Sequence, residues 1–173
     1  GKKNAMVVNL GWGIGLGMVL DEKLFRGNDG FAGELGHTII RPGGRKHWST
    51  ELYGSLEAYA SATGVVLTAK EMLASKPDTP SLLRKYTLED LTSKQIFDCA
   101  MQGDEISQEV YRFTGQILGE SLANFVMFSS PEAIILFGGL IKAGKLIFDP
   151  TIEHMERNLL PIFKNKVKVI KSV

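Results

Sequence analysis

The spacing of apolar residues changes period along this chain. Ala5 to Leu10 is a short apolar run that predicts a strand, and Ile14 to Leu20 predicts a second. Asp21-Glu22 supplies a turn and Lys23-Leu-Phe-Arg26 returns as a third strand, so the chain opens as a hairpin-like unit. Gly27 to Gly36 clusters Gly, Asn and Asp and reads as loop; Thr38 to Arg41 reads as a brief strand before Pro42-Gly-Gly44. The period then turns helical. Ser55 to about Ser75 predicts one helix, with Leu56, Tyr59, Ala60, Val66, Leu67 and Met72 available for burial. Lys76 to Pro80 breaks it. Thr92 and Gln95 form a capping box that opens a helix to about Met101. Gly103-Asp104 restarts a long helix, on which Ile106, Val110, Phe113, Ile117, Leu118, Leu122 and Phe125 recur at helical spacing until Ser129-Ser-Pro131. Ala133 to Phe137 is a buried strand running into Gly138-Gly139. Asp149-Pro150 predicts an N-cap with proline at the first helical position, and a helix to about Leu160. Val167 to Val173 reads as a last strand. No internal repeat or low-complexity stretch is visible.

Composition adds exclusions. With 173 residues, 44% hydrophobic and 23% charged, the chain can bury one real core. A net charge of +1 gives no electrostatic case for nucleic acid or a membrane surface. No apolar run approaches the roughly 20 residues of a spanning helix. The lone Cys99 excludes an internal disulfide framework and fits a reducing compartment, so the expectation is a cytoplasmic protein with no membrane partner. The chain enters a strand at once and stops on one, which reads as a piece of a longer protein.

Candidate chemistry clusters near the start. Gly11-Trp-Gly-Ile-Gly-Leu-Gly17 places glycine on every second residue directly after a strand. Such a row brings backbone N–H groups close to an anion, or strips one face of a strand for close packing. It is neither the dinucleotide fingerprint nor a P-loop. Glu34 and His37 lie in the glycine-framed segment Gly33-Glu-Leu-Gly-His37, where carboxylate and imidazole suit a polyhydroxy ligand. Glu57 stands near a helix N-terminus, where a carboxylate is favourable for the dipole alone. Gly138-Gly139 follows a buried strand, as nucleotide-side turns do and as tight strand-to-helix turns do. His37, His47 and Glu51 raise a metal, but their spacing matches no closed four-ligand zinc site, and the expectation is none.

Taken in this order, the segments resemble the C-terminal domain of the ROK family of bacterial sugar kinases and sugar-responsive repressors. Gly11 to Gly17 resembles its second phosphate loop, Gly33 to His37 its sugar-binding Glu-x-Gly-His, Ser55-Leu-Glu-Ala-Tyr-Ala-Ser61 its Cys-Leu-Glu-Ala-Tyr-Ala-Ser, and Ile134 to Gly139 its adenosine-side segment. The resemblance implies an α/β fold of the actin-like ATPase (ribonuclease H-like) type, a mixed sheet flanked by helices. It makes residues 1–173 a C-terminal domain lacking the N-terminal domain and the final helix. Glu34, His37 and Glu57 should contact sugar hydroxyls, and Gly11, Gly13, Gly15, Gly138 and Gly139 should contact ATP. No catalytic residue is expected here, because the family's general-base aspartate lies upstream.

Three departures accompany the resemblance. Trp48, Thr50 and Ser55 stand where the family's zinc motif has thiolates, so zinc should be lost and His37, a zinc ligand in most members, left free of it. Trp12 replaces the usual threonine, whose hydroxyl would help hold phosphate. The catalytic aspartate and first phosphate motif are missing. The implied function is ATP-dependent phosphorylation of a hexose, glucokinase-like, with magnesium as cofactor and the parent protein a homodimer. The alternative is a sugar-sensing transcriptional repressor, which alone would bring in nucleic acid. A glycosidase using Glu34 and Glu57 is a third reading, but nothing in the sequence fixes their separation.

Overall fold

A computed structural model describes residues 2–172. Five strands form one mixed sheet: β1 (Ala5–Leu10), β2 (Ile14–Leu20), β3 (Lys23–Phe25), β4 (Ala133–Phe137) and β5 (Lys168–Lys171), in the order β3-β2-β1-β4-β5. The opening meander is antiparallel, with Asp21 and Glu22 at φ +49° and +65° in the two-residue turn that a right-twisted hairpin needs. β4 pairs in parallel with β1 and with β5. β1 and β4 carry the inner apolar side chains, Met6, Val8, Leu10, Ile134 and Leu136, all buried.

The helices are α1 (Glu57–Ala60), α2 (Ala62–Ser75), α3 (Ser93–Met101), α4 (Glu105–Ser129) and α5 (Lys145–Asn158). The capping box at Thr92 and Gln95 is present, and Asp104 caps α4. The expected helical residues of α4 bury into the core, with Phe113 only partly so.

Three local expectations are corrected. The helix predicted from Ser55 to Ser75 is two helices, because Ser61 is extended (φ −87°, ψ 170°). Its hydroxyl accepts from the Gly64 N–H at 3.0 Å and donates to the Glu57 carbonyl at 2.7 Å, capping α2 while closing α1. Thr38 to Arg41 is no strand. Apart from the single bridge Ile39–Ser55, its N–H groups at Ile40 and Arg41 both donate to the Gly54 carbonyl, at 2.8 and 3.0 Å. Asp149-Pro150 does not start a helix: α5 begins at Lys145, after Gly144 turns the chain at φ +57°, and Pro150 lies inside it. α5 packs closely on α4 because Gly115 and Gly119 carry no side chain there; a Cβ on Gly115 would lie 2.5 Å from the Pro150 ring. Among the described residues no helix is long and apolar enough to cross a membrane.

Candidate functional site

Two glycines let the Gly33–His37 loop lie on β2. Gly33 has φ +100°, and any side chain there would strike the Leu16 carbonyl; a Cβ on Gly36 would sit 2.5 Å from the Ile14 carbonyl oxygen. This seating presents Glu34, whose side chain is 69% exposed, and His37, which closes a single 3-10 turn. His37 Nε2 lies 3.8 Å from a Glu34 oxygen, beyond hydrogen-bond reach. His37 Nδ1 is buried and has no partner, the kind of orphaned polar atom that marks a place for a ligand.

Glu57, the first residue of α1, completes the group. One carboxylate oxygen accepts the Ile14 N–H at 2.6 Å; the other lies 2.7 Å from His47 Nε2. Ligand atoms of His37, His47 and Glu57 all fall within 4.8 Å of one another. The fold thus gathers the expected Glu34, His37 and Glu57 at one place and adds His47, which the sequence reading had grouped only with a metal. Glu51, its supposed companion, is exposed and pairs with Lys46 at 2.9 Å. His47 stands in a loop 10 residues before Glu57, and no periodicity links the two.

The glycine row begins as a turn. Gly11 N–H donates to the Gly13 carbonyl at 3.0 Å, while the Gly11 carbonyl accepts from Ala62 N–H at 2.9 Å and the Trp12 carbonyl from the Thr63 hydroxyl at 3.2 Å. The turn therefore sits on the start of α2. A Cβ on Gly13 would lie 2.5 Å from a Glu57 oxygen, so this glycine admits the carboxylate. Gly17 faces open space, a Cβ on Gly15 would meet only the Asn9 Cβ at 3.9 Å, and the Trp12 indole projects into solvent, 87% exposed, with no hydroxyl to offer at the turn. Gly138, at φ +105°, packs so close to Asn9 that a Cβ would be 2.6 Å from its Oδ1, and nothing crowds Gly139. Both glycine segments thus meet at the carboxyl ends of the neighbouring strands β1 and β4, the usual ligand edge of a parallel pair. Asn9 stands between them and was missed, because a lone asparagine inside a strand carries no sequence signal.

The zinc question turns on donors. Trp48 stacks on His47 with ring centroids 4.1 Å apart, the Thr50 hydroxyl accepts the Leu52 N–H at 3.2 Å, and Ser55 is buried beside α1. None is a thiolate, and the lone cysteine sits in α3. His37, His47 and Glu57 form the one grouping of metal-binding types among the described residues. The orphaned His37 Nδ1 fits an ion; His47 does not. Its Nδ1 accepts the Ser49 N–H at 3.1 Å, with the Ser49 hydroxyl 3.4 Å away. A metal on Nε2 would need the ring proton on Nδ1, facing that N–H donor. Protein contacts hold the loop. The Arg45 guanidinium bonds the carbonyls of Ala58 and Gly64 at 2.6 and 3.2 Å, Thr68 at 3.0 Å and Glu71 at 2.6 and 2.8 Å, and it stacks 4.5 Å over the Tyr59 ring.

Known proteins resemble this chain along nearly its whole length. The ROK family model matches residues 1–173. Glucokinase from Halalkalibacterium halodurans is 33% identical over 161 residues, covering 93% of this chain and 49% of that protein. The DNA-binding transcriptional dual regulator NagC of Escherichia coli is 27% identical over 172 residues, covering 98% of this chain and 40% of that protein. The crystal structure of a ROK family glucokinase from Streptomyces griseus in complex with glucose and AMPPNP superposes with a TM-score of 0.88 at 28% identity, covering 99% of this chain and 56% of that one. The chain spans about half the length of the curated glucokinases it matches. Its mixed sheet with flanking helices is that of the ROK sugar kinases, the actin-like ATPase fold. The chain belongs to the ROK family.

Proposed function

We propose that this chain is the C-terminal, sugar- and nucleotide-binding half of an ATP-dependent hexokinase of the glucokinase type. The observation that carries the reading is the acceptor group at one edge of the sheet. Glu57 is fixed by two donors beside the unpartnered His37 nitrogen, with Glu34 free at the rim. Each carboxylate oxygen keeps lone pairs for hydroxyl hydrogens, which suits a hexose. The bare glycines Gly15 and Gly139 leave backbone exposed on the adjoining edge, which suits a nucleotide's phosphates. Glucokinase relatives and the neighbour solved with glucose and an ATP analogue support the same assignment.

In this reading Glu34, His37 and Glu57 orient the sugar, which is the positioning share of catalysis. An aspartate upstream of residue 1 is the general base on the reacting hydroxyl. Magnesium, when bound with ATP, offsets charge on the transferring phosphoryl. The parent is cytoplasmic and dimeric; Phe128, 86% exposed at the end of α4, offers apolar surface for a second copy. A sugar-sensing repressor is the second reading, favoured by the NagC relationship and by Trp12, which brings no hydroxyl to the phosphate turn. A coupled ADP-release assay of the full-length protein with a panel of hexoses separates the two. Turnover supports the kinase. A protein that binds hexose and a DNA operator without turnover establishes the repressor instead.

A further inference from the structure

We propose that His47 is a metal-free brace for the sugar-binding carboxylate of Glu57, doing by hydrogen bond what a bound zinc would do for this loop. The proposal rests on the sugar-site reading above. His47 is 2% exposed, so its ring nitrogens have no access to bulk water and must be satisfied by protein. The Ser49 N–H occupies Nδ1, and a backbone N–H can only donate. Nδ1 is therefore the bare nitrogen of a neutral ring, and Nε2 carries the proton that it donates to Glu57 at 2.7 Å. Trp48, standing where the resemblance has the first thiolate, lies flat on the imidazole with 25° between the rings and excludes water from it.

The consequence falls on Glu57. With Ile14 N–H on one oxygen and His47 on the other, the carboxylate is held at both ends. A sugar then meets the Glu57 acceptors already in place, and Glu57 loses no side-chain freedom on binding. His47 acts through Glu57 and is a positioning residue. Removing it frees one oxygen without touching the glycine turns that the nucleotide would use.

The test uses full-length protein purified without chelator. A two-bond proton–nitrogen correlation spectrum of the histidines reads the tautomer, and elemental analysis reads the metal. Calorimetry then titrates glucose and, separately, ATP into wild type, His47→Ala and His47→Gln, with thermal melts to confirm folding. The expected results are an Nε2–H tautomer for His47, no stoichiometric metal, and a spectrum unmoved by added zinc. Glucose affinity should fall about tenfold in His47→Ala, the loss of one hydrogen bond to a charged group. It should largely return in His47→Gln, whose amide can donate to Glu57, and ATP affinity should stay unchanged in both. An Nδ1–H tautomer, stoichiometric zinc lost in His47→Ala, or a folded His47→Ala that binds glucose like wild type overturns the brace. A wild type with the Nε2–H tautomer and no metal that binds no hexose refutes the proposed function and leaves the metal-free brace standing.

Discussion

Glu57 illustrates how tightly one residue's chemistry is specified here. Both of its hydrogen-bond partners are donors, Ile14 N–H and His47 Nε2–H. An amide at this place cannot accept from both, so Glu57→Gln sets its NH2 group against one of them. We predict a stability loss of about 1–3 kcal/mol from that donor–donor conflict, read by denaturant titration with no sugar present. An unchanged midpoint would mean the carboxylate is not held as described. Two glycines of the row separate steric from binding duties. Gly13→Ala would press a Cβ against the Glu57 carboxylate, whereas Gly15→Ala meets only the Asn9 Cβ at 3.9 Å. Gly13→Ala should therefore weaken hexose binding and lower the melting temperature. Gly15→Ala should melt like wild type, and a selective loss of ATP affinity in it would mark the phosphate edge. At this scale the sequence shows which residues carry chemistry but not their company. Glu34, His37 and Glu57 stand out through glycine framing and motif order. His47 and Asn9 do not, because their partners come from other elements and leave no local pattern.

Helix α4 is the spine of the molecule, and its start and its middle make different predictions. At its start, burial opposes ionisation of Asp104, but the hydroxyl and N–H of Ser107, the Leu82 N–H and the Ser81 hydroxyl outweigh it and hold the carboxyl below its ordinary value. Glu120, in the body of the helix, is lowered as well, its burial outweighed by hydrogen bonds from Arg41 and Gln116. A depressed folded-state value means a contribution present above the unfolded carboxylate range near pH 4 and lost as pH falls through the folded value. Stability should thus decline on acidification below about pH 4, and Asp104→Asn should both flatten that decline and cost about 1–3 kcal/mol at neutral pH, because its NH2 group would face the donors that now bond the two carboxylate oxygens. Thermal melts from pH 7 downward check this; an Asp104→Asn curve parallel to wild type would contradict it. In the middle, Gly119 opposes two effects. Helix propensity favours Gly119→Ala by about 1 kcal/mol, but the new Cβ would run into the Thr151 carbonyl and lie 2.8 Å from the Met155 N. Backbone of a packed helix cannot give way as a side-chain tip can, so the clash should win, with a net loss of about 1–3 kcal/mol. Most elements were legible: the opening meander, the capping box of α3 and the apolar periodicity of α4 are local signals. The breaks were not. Ser61 ends α1 because its hydroxyl serves two backbone groups at once, and Pro150 sits inside α5 because a glycine on α4 makes room for its ring. Neither reason is local.

The whole molecule is a mixed sheet with glycine turns at the carboxyl ends of β1 and β4, and with a loop that carries Trp48, Thr50 and Ser55 where the resemblance has thiolates. The order of glycine, carboxylate and imidazole segments made the family legible; the bracing of Glu57 needed the fold. In the proposed function this edge binds a hexose through Glu34, His37 and Glu57. Glu34 is the cleanest place to test it, since its side chain is 69% exposed and its approach to His37, at 3.8 Å, is beyond hydrogen-bond reach. Glu34→Gln in the full-length protein keeps shape and fold and removes one charged acceptor. A hydrogen bond to a charged group is worth about 1.5–3 kcal/mol, so calorimetric titration should show glucose affinity lower by roughly one to two orders of magnitude, with ATP affinity unchanged. Undiminished glucose affinity in folded Glu34→Gln protein would rule out this sugar site and leave Glu34 a solvated glutamate on a glycine loop.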